Sequence, residues 1–280
     1  MEILQIPSLR APIMLAAFGG WNDAGEAATG AISHLASMWP MTLIARVDPE
    51  DFYDFQVNRP AAFIDESKMR QLQWPTTEVF GFLTPHLPFD LVLVKGVEPS
   101  MRWKSFSTDL LDLADDLDVA MIITMGSLLA DSPHSRPIPV TKSAGHTEIA
   151  DRLGVELSGY EGPTGILGVI QDAAFRRGMD AISLWGAIPH YASLSPSPKA
   201  TLALIHSLED FLNVSLPLGD LESQSKEWEQ RIDELTAEDS DIGDYVRQLE
   251  AAKDAADLPE ATGESIARDF ERYLRRRNTE

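Results

Sequence analysis

The sequence predicts an α/β fold built on a mostly parallel sheet. Three continuous apolar runs, at residues 13–18, 91–95 and 119–125, have the composition of strands that are buried on both faces. Between the last two runs, residues 103–117 place apolar side chains at helical spacing, with aspartates on the opposite face. This strand–helix–strand order favours parallel pairing through a right-handed crossover.

The first strand leads through a glycine turn into a helix that continues to Leu35. Asn22 or Asp23 can cap this helix by accepting a backbone hydrogen bond in its first turn, and Glu26 is spaced for a capping box. A strand, a turn and a helix N-terminus can also bind an anion. The glycine spacing matches neither nucleotide-binding motif, and we favour a structural turn because turn chemistry alone explains these residue types.

The remaining elements of the α/β part follow in order. Residues 41–47, 78–83 and 181–185 read as further strands, and residues 164–177 read as a helix. A proline-rich segment at 126–140 is predicted to be a long loop, and loops of this length are usually functional or disordered.

The composition changes near residue 219. Ser197 and Pro198 mark the start of the last helix before this point, with Ser197 as its cap. Beyond it, acidic residues become dense, strand patterns disappear and apolar side chains recur at helical spacing. We therefore predict an α/β domain at 1–218 and an acidic helical region at 219–280.

Charge and composition exclude several classes of partner. The formal net charge of −21 repels phosphate backbones, so we expect no nucleic-acid partner. The absence of cysteine excludes disulfides and thiolate chemistry. We find neither a signal-peptide pattern nor an apolar run of the roughly 20 residues that a membrane helix needs. We therefore expect a soluble, cytoplasmic protein with no membrane partner.

Six motifs occur in an order that resembles a known family. They are GWNDAG at 20–25, GVEPSMRW at 96–103, PHSRP at 133–137, YEGPTG at 160–165, SLW at 183–185 with PHY at 189–191, and PSPKA at 196–200. Together they resemble the proteasome assembly chaperone 2 family, in its bacterial branch, over residues 19 to about 249. The resemblance implies a three-layer α/β/α, phosphorylase/hydrolase-like fold with a mostly parallel mixed sheet. The family takes its name from eukaryotic members that assist proteasome assembly, and the resemblance supplies no reaction, cofactor or catalytic residue.

Eight polar residues are candidates for a ligand pocket, because ligands of open α/β sheets sit beyond the carboxyl ends of the strands. They are Asn22, Asp23, Glu98, Arg102, His134, Arg136, Glu161 and His190. His134 and Arg136 could hold an anionic group, with Arg136 bidentate. Alternatively, Arg136 ties its loop to a carboxylate and His134 bonds to backbone.

The other candidates also have two interpretations. Glu98 and Arg102 are a catalytic acid with an anion clamp or, as we favour, an ion pair that pins the start of a helix. His190 is a general base or a hydrogen-bonded strut. Glu161 is a single carboxylate in a turn, which is weak evidence for acid–base chemistry.

These observations predict a non-enzymatic protein that works by binding, as an assembly factor or as a binder of another protein or a small anionic ligand. The sequence contains neither a G-x-S-x-G elbow nor an H-E-x-x-H motif, so we assign no catalytic residue, metal or cofactor. The alternative is a hydrolase or a nucleoside-phosphorylase-like enzyme that uses the strand-end pocket.

We also predict a homo-oligomer, with a trimer as first choice. Phosphorylase/hydrolase-like folds often form trimers or hexamers, which is what the resemblance implies. In addition, the C-terminal helices must bury narrow apolar stripes against some surface. These stripes comprise Trp228, Ile232, Tyr245, Leu249 and Phe270. The parent domain would satisfy them as well as a neighbouring subunit would.

Overall fold

The computed structural model of the protein describes residues 1–257. The strands are β1 (Glu2–Ile3), β2 (Ile13–Gly19), β3 (Thr42–Arg46), β4 (Ala61–Ile64), β5 (Arg70–Gln73), β6 (Thr77–Phe82), β7 (Leu91–Val97), β8 (Met121–Ala130), β9 (Val140–Ala144), β10 (Glu156–Leu157) and β11 (Ala181–Pro189). The α-helices are α1 (Ala27–Met38), α2 (Pro49–Phe52), α3 (Trp103–Asp116), α4 (Thr147–Leu153), α5 (Ile166–Arg176), α6 (Pro198–Leu212), α7 (Leu221–Glu238) and α8 (Ser240–Asp257).

Nine strands form one sheet in the order β1-β3-β6-β7-β2-β8-β11-β9-β10. The long pairings at its centre, of β2 with β7 and β8 and of β8 with β11, are parallel. Antiparallel pairs flank them on both sides. The six segments that the sequence predicts as strands all lie in this sheet, which is mixed and mostly parallel as expected.

Helices cover both faces of the sheet. Alternate residues of β2 face opposite layers, as the pleat of a strand requires. Leu15 packs in a core with Ile32 of α1 and Leu204 of α6. Met14 packs in a second core with residues of α3 and α5, such as Phe106. The predicted three-layer α/β/α fold is therefore confirmed.

Three local predictions differ from the structure. The segment 126–140 is not one long loop, because β8 continues to Ala130 along β11 and β9 begins at Val140. Ser197 precedes α6, but its hydroxyl makes no capping hydrogen bond. A separate hairpin of β4 and β5 stands between α2 and β6, in a part of the chain for which no strand was predicted.

The C-terminal helices dock on the chain's own α/β part. Trp228 and Ile232 of α7 are buried against Tyr191 and Ala192, which follow β11. Val246 of α8 is also buried. This packing accounts for the stripes of α7 and α8 within one chain, so they no longer argue for a second subunit. The predicted contribution of residue 270 lies outside the described residues.

Candidate functional site

The turn between β2 and α1 holds the first group of predicted residues. The Asp23 carboxylate accepts hydrogen bonds from the backbone N–H groups of Ala28 (2.8 Å) and Thr29 (3.2 Å), and from the Thr29 hydroxyl. Asp23 thus caps α1 from beyond a 3-10 turn at Ala24–Glu26. The possible capping box does not form, because Glu26 has a left-handed φ of 51° and its side chain makes no capping hydrogen bond.

This turn is fixed to the neighbouring strand. Ser127 of β8 donates its backbone N–H to the Asn22 carbonyl oxygen at 2.8 Å, and its hydroxyl donates to the backbone of Ala24. Burial raises the pKa of Asp23, and the hydrogen bonds from Thr29 oppose that rise. The Asp23 carboxylate therefore serves as a structural cap of α1.

Glu98 joins the ends of β2 and β7 to α5. Its Oε1 accepts hydrogen bonds from Asn22 Nδ2 (2.6 Å) and from the backbone N–H of Ile166 (2.8 Å). A carboxylate at this position stabilises the positive end of the α5 dipole. A Cβ at Gly165 would lie 2.2 Å from Asn22 Oδ1, so glycine is required there. Asn22 is almost fully buried, and its Oδ1 has no hydrogen-bond partner within residues 1–257.

Arg102 turns away from Glu98. Its Nη1 donates to Asp51 Oδ1 at 2.7 Å, and its guanidinium lies 5.3 Å from the centre of the Phe52 ring. The expected Glu98–Arg102 ion pair is therefore wrong. Arg102 pins the start of α3 to α2 instead, and both members of its ion pair are about half exposed.

His134, in the loop after β8, is buried beneath α7. Its Nδ1 lies 2.8 Å from the Tyr191 hydroxyl oxygen, which also accepts the His134 backbone N–H. Its Nε2 lies 2.9 Å from Asp233 Oδ1. Lys199 bridges the His134 carbonyl oxygen and Glu229 of α7. Every polar atom of His134 is thus engaged within the chain.

Arg136 connects the same loop to α8. Its Nε and Nη2 donate to the two carboxylate oxygens of Asp254, each at 2.8 Å, and Glu250 lies 3.6 Å from Nη1. This pairing raises the pKa of Arg136 and lowers the pKa of Asp254. The bidentate fork that could hold an anion is occupied by the chain's own carboxylate.

His190 lies beside these groups and is exposed. Its Nδ1 is 3.5 Å from Asp131 Oδ1, and its ring packs edge-on against Tyr191 and Tyr245. The Tyr245 hydroxyl donates to Asp131 at 3.0 Å. We call this set of contacts between the strand-end loops and α7–α8 the clasp. Its residues are Asp131, His134, Arg136, His190, Tyr191, Lys199, Glu229, Asp233, Tyr245, Glu250 and Asp254.

The structure divides the eight candidates among different places. Asn22, Asp23 and Glu98 lie at the ends of β2 and β7, His134, Arg136 and His190 lie in the clasp, Arg102 binds α2, and Glu161 is exposed in the loop before α5. Sequence reasoning missed the acidic partners of the clasp. In the sequence these acids have the pattern of any solvated helix face, so no signal sets them apart.

A cleft of about 880 Å³ opens beside the β2–α1 turn and the β4–β5 hairpin. Its volume falls in the range of small-molecule sites. Both signs of charge line it, from Asp23, Glu26, Arg59 and Lys95 among others. Asp23 is the one of the eight candidates found among its lining residues, and its carboxylate is already held by α1.

Residues 1–257 contain neither a metal-binding cluster nor a helix suited to span a membrane. This part of the chain contains no group of three or more histidine, cysteine or carboxylate side chains arranged to hold a metal ion. None of its helices is both long enough and apolar enough to cross a membrane.

Comparison with known proteins places these features in a family. The PAC2 family model matches residues 17–236. A PAC2 family protein from Streptomyces avermitilis is 47% identical, with a TM-score of 0.78 over 84% of this chain and 99% of its own. A proteasome-assembly chaperone homologue from Mycobacterium tuberculosis is 45% identical, with a TM-score of 0.76 and the same coverage.

More distant structures share the fold. An archaeal proteasome activator from Pyrococcus furiosus is 19% identical, with a TM-score of 0.64 over 83% of this chain and 96% of its own. No protein with a curated functional description matches the sequence. The family model and the two bacterial structures each cover most of the chain, as the resemblance predicted, and the chain belongs to the PAC2 family.

Proposed function

We propose that the protein is a non-enzymatic, chaperone-like assembly factor that works by binding protein subunits and is itself a homo-oligomer. The observation that carries its self-association is the exposed apolar hairpin of β4 and β5 on an otherwise acidic chain. Exposed apolar patches of this kind mark protein-interaction sites. The similarity to a proteasome-assembly chaperone homologue supports the same class of function.

The polar groups at the strand ends favour binding over catalysis. Glu98 holds the start of α5, His134 is enclosed by Tyr191 and Asp233, and Arg136 is paired with Asp254. A hydrolase or phosphorylase-like enzyme would need such groups free to meet a substrate. A small anionic ligand would have to displace Asp254 from Arg136, which disfavours such a ligand.

A trimer remains our first choice of oligomer, on the ground of the phosphorylase/hydrolase-like fold. A large negative charge opposes self-association, so the contact surfaces must be apolar at their centres. The hairpin meets that requirement.

The test is co-expression with the proteasome α and β subunits of the source organism, followed by size-exclusion chromatography. We expect the protein to comigrate with incomplete particles and to be absent from finished ones. An acidic protein of similar size serves as the control for charge-driven binding. Failure to bind either subunit, together with unchanged assembly, would overturn the chaperone proposal.

A further inference from the structure

The hairpin is a two-stranded sheet with both faces open to solvent. Its register places Ala62 opposite Leu72 and Ile64 opposite Arg70 on one face, and Phe63 opposite Gln71 on the other. All eight strand residues are exposed. A two-stranded hairpin is at best marginally stable in water unless it packs against something else.

The apolar surface that the hairpin exposes is of interface size. The large apolar side chains of the hairpin and of the segments that flank it are 43% to 73% exposed, and they are Val57, Phe63, Ile64, Met69, Leu72 and Trp74. Together they present on the order of 500 Å² of apolar surface. A stable interface removes about 800 Å² from each partner, and most of its centre is apolar.

The hairpin also carries a slight positive charge on an acidic chain. Residues 57–74 contain three basic and two acidic residues, in a chain whose formal net charge is −21. One of the acids, Asp65, is tied into the turn by the Met69 backbone N–H (2.8 Å) and by Gln71 (3.0 Å). Because self-association of an acidic chain needs a surface of low net charge, the hairpin is suited to meet a second copy.

A second apolar patch lies at the other end of the same edge of the sheet. It consists of Leu4, Ile6, Met41 and Leu83, which are 44% to 63% exposed. Register brings them to one corner, since Thr42 pairs with Gly81 and the Leu4 N–H bonds to Ile44. We call these four residues the edge patch. Residues 1–9 contain one acidic residue, Glu2, and Arg46 Nε lies 2.7 Å from its Oε2.

We propose that the hairpin of one copy docks on the edge patch of the next copy, head to tail. A heterologous contact of this kind uses two different surfaces, and it closes into a ring when the rotation allows. The chain offers two apolar patches of low charge at opposite ends of the β3–β6 edge, as such a contact requires. The inference rests on the proposed self-association and adds the surfaces that produce it.

Sedimentation equilibrium of matched variants tests this contact. We expect wild type and the control Leu235→Asp, an exposed position on α7, to form the same oligomer. Ile64→Asp in the hairpin and Leu83→Asp in the edge patch should each give a mass near 30.9 kDa. An equal mixture of these two variants should form a species of twice that mass, because one intact hairpin then meets one intact edge patch. Circular dichroism checks that each variant is folded.

Each other outcome has a definite meaning. A monomeric wild type overturns both self-association and this contact, whereas an unchanged oligomer in either variant overturns the contact alone. A mixture that stays monomeric overturns the head-to-tail arrangement. If the variants dissociate but wild type fails to bind proteasome subunits, the chaperone function falls and the contact stands.

A second measurement covers the case in which an aspartate variant fails to fold. The chain has no cysteine, so Ile64→Cys and Leu83→Cys each introduce a unique thiol. A short bismaleimide linker should join the mixed pair into a covalent dimer and leave each variant alone uncrosslinked. Crosslinking of Ile64→Cys with itself, or none in the mixture, would overturn the proposal.

Discussion

Two regions at the carboxyl end of the sheet differ in whether the chain covers their apolar surface. Beyond β8 and β11, the chain's own α7 and α8 cover the surface and bury Trp228 and Ile232. Beyond β3, the β4–β5 hairpin leaves Phe63 and Ile64 open to solvent. The first region is completed within one chain, and we propose that a neighbouring copy completes the second.

The difference shows that position at the strand ends does not by itself make a ligand site. Where the chain can reach over its strand ends, it uses histidine, arginine and tyrosine to hold its own acidic helices. Where it does not, apolar side chains remain available for a partner. The polar candidates that sequence reasoning favoured belong mostly to the closed region, and the surface we propose for binding belongs to the open one.

The largest expected effect is on the anchor of the closed region. Trp228→Ala removes the largest buried side chain of α7 and should lower the free energy of unfolding by about 3–5 kcal/mol. Urea unfolding followed by circular dichroism measures this loss. The control is Leu235→Ala on the exposed side of the same helix, which should change stability by less than about 0.5 kcal/mol. Equal losses in both variants would mean that α7 is not anchored as described.

The tyrosine at the centre of the clasp should have the next largest effect. Tyr191→Phe removes the hydroxyl that bonds the ring and the backbone N–H of buried His134. Leaving these groups unpaired should cost about 1–3 kcal/mol. The matched control is Tyr160→Phe, because Tyr160 is exposed and bonds to the Pro163 carbonyl oxygen of its own loop. A loss no greater than that of the control would show that the clasp is not closed in solution.

A smaller effect is expected for the ion pair of the clasp. Arg136→Ala breaks a bidentate contact whose members are a third and half exposed, so solvent screening should keep the loss of stability below that of Tyr191→Phe. Arg176→Ala breaks a more exposed pair with Asp172 within α5 and should cost less. A loss from Arg136→Ala as large as that from Trp228→Ala would indicate a desolvated pair and contradict the observed exposure of its members.

Acid should weaken the clasp, because the pair of Arg136 with Asp254 requires an ionised carboxylate. The hydrogen bond from Arg136 lowers the pKa of Asp254, so its stabilising contribution is present above the ordinary carboxyl pKa of about 3.9. That contribution is lost as the pH falls through the lowered pKa of the folded state. Hydrogen exchange of α8 at decreasing pH measures it, and Asp254→Asn should remove this part of the pH dependence. An unchanged pH profile in that variant would mean that the pair of Arg136 with Asp254 does not set the pH dependence of α8.

Salt should act on the two regions in opposite directions. Raising ionic strength from about 0.05 M to about 0.5 M shortens the screening length and weakens the exposed pair of Arg136 with Asp254. The same change reduces repulsion between copies of a chain with net charge −21, and should strengthen docking through the hairpin. Proteolysis of α8 and sedimentation equilibrium follow the two effects separately. If salt weakened both contacts or strengthened both, the division into a charged contact and an apolar one would be contradicted.

The central strands could be predicted from the sequence because each has a local pattern of its own. Strands buried on both faces are continuous apolar runs, and β2, β7 and β8 all have them. The hairpin was missed because neither face meets a core, so its pattern does not alternate. Its turn also lacks an Asn-Gly pair, and it relies on Asp65 and on Lys68 at a left-handed φ of 61°.

The candidate site was only partly predictable for a different reason. His134 and Arg136 were identified by their position after a strand, but their partners Asp233 and Asp254 lie 99 and 118 residues further along the chain. In sequence those acids resemble any solvated helix face. Glu98 and Arg102 were paired because they are close in sequence, yet the chain between them directs the two side chains to different elements.

The mass of the wild-type protein in solution tests the central claim most directly. If the open hairpin is completed by a neighbouring copy, sedimentation equilibrium at micromolar concentration should give about three times the chain mass of 30.9 kDa. The mass should fall on dilution as the contact dissociates. A mass near 30.9 kDa at every concentration would contradict the account.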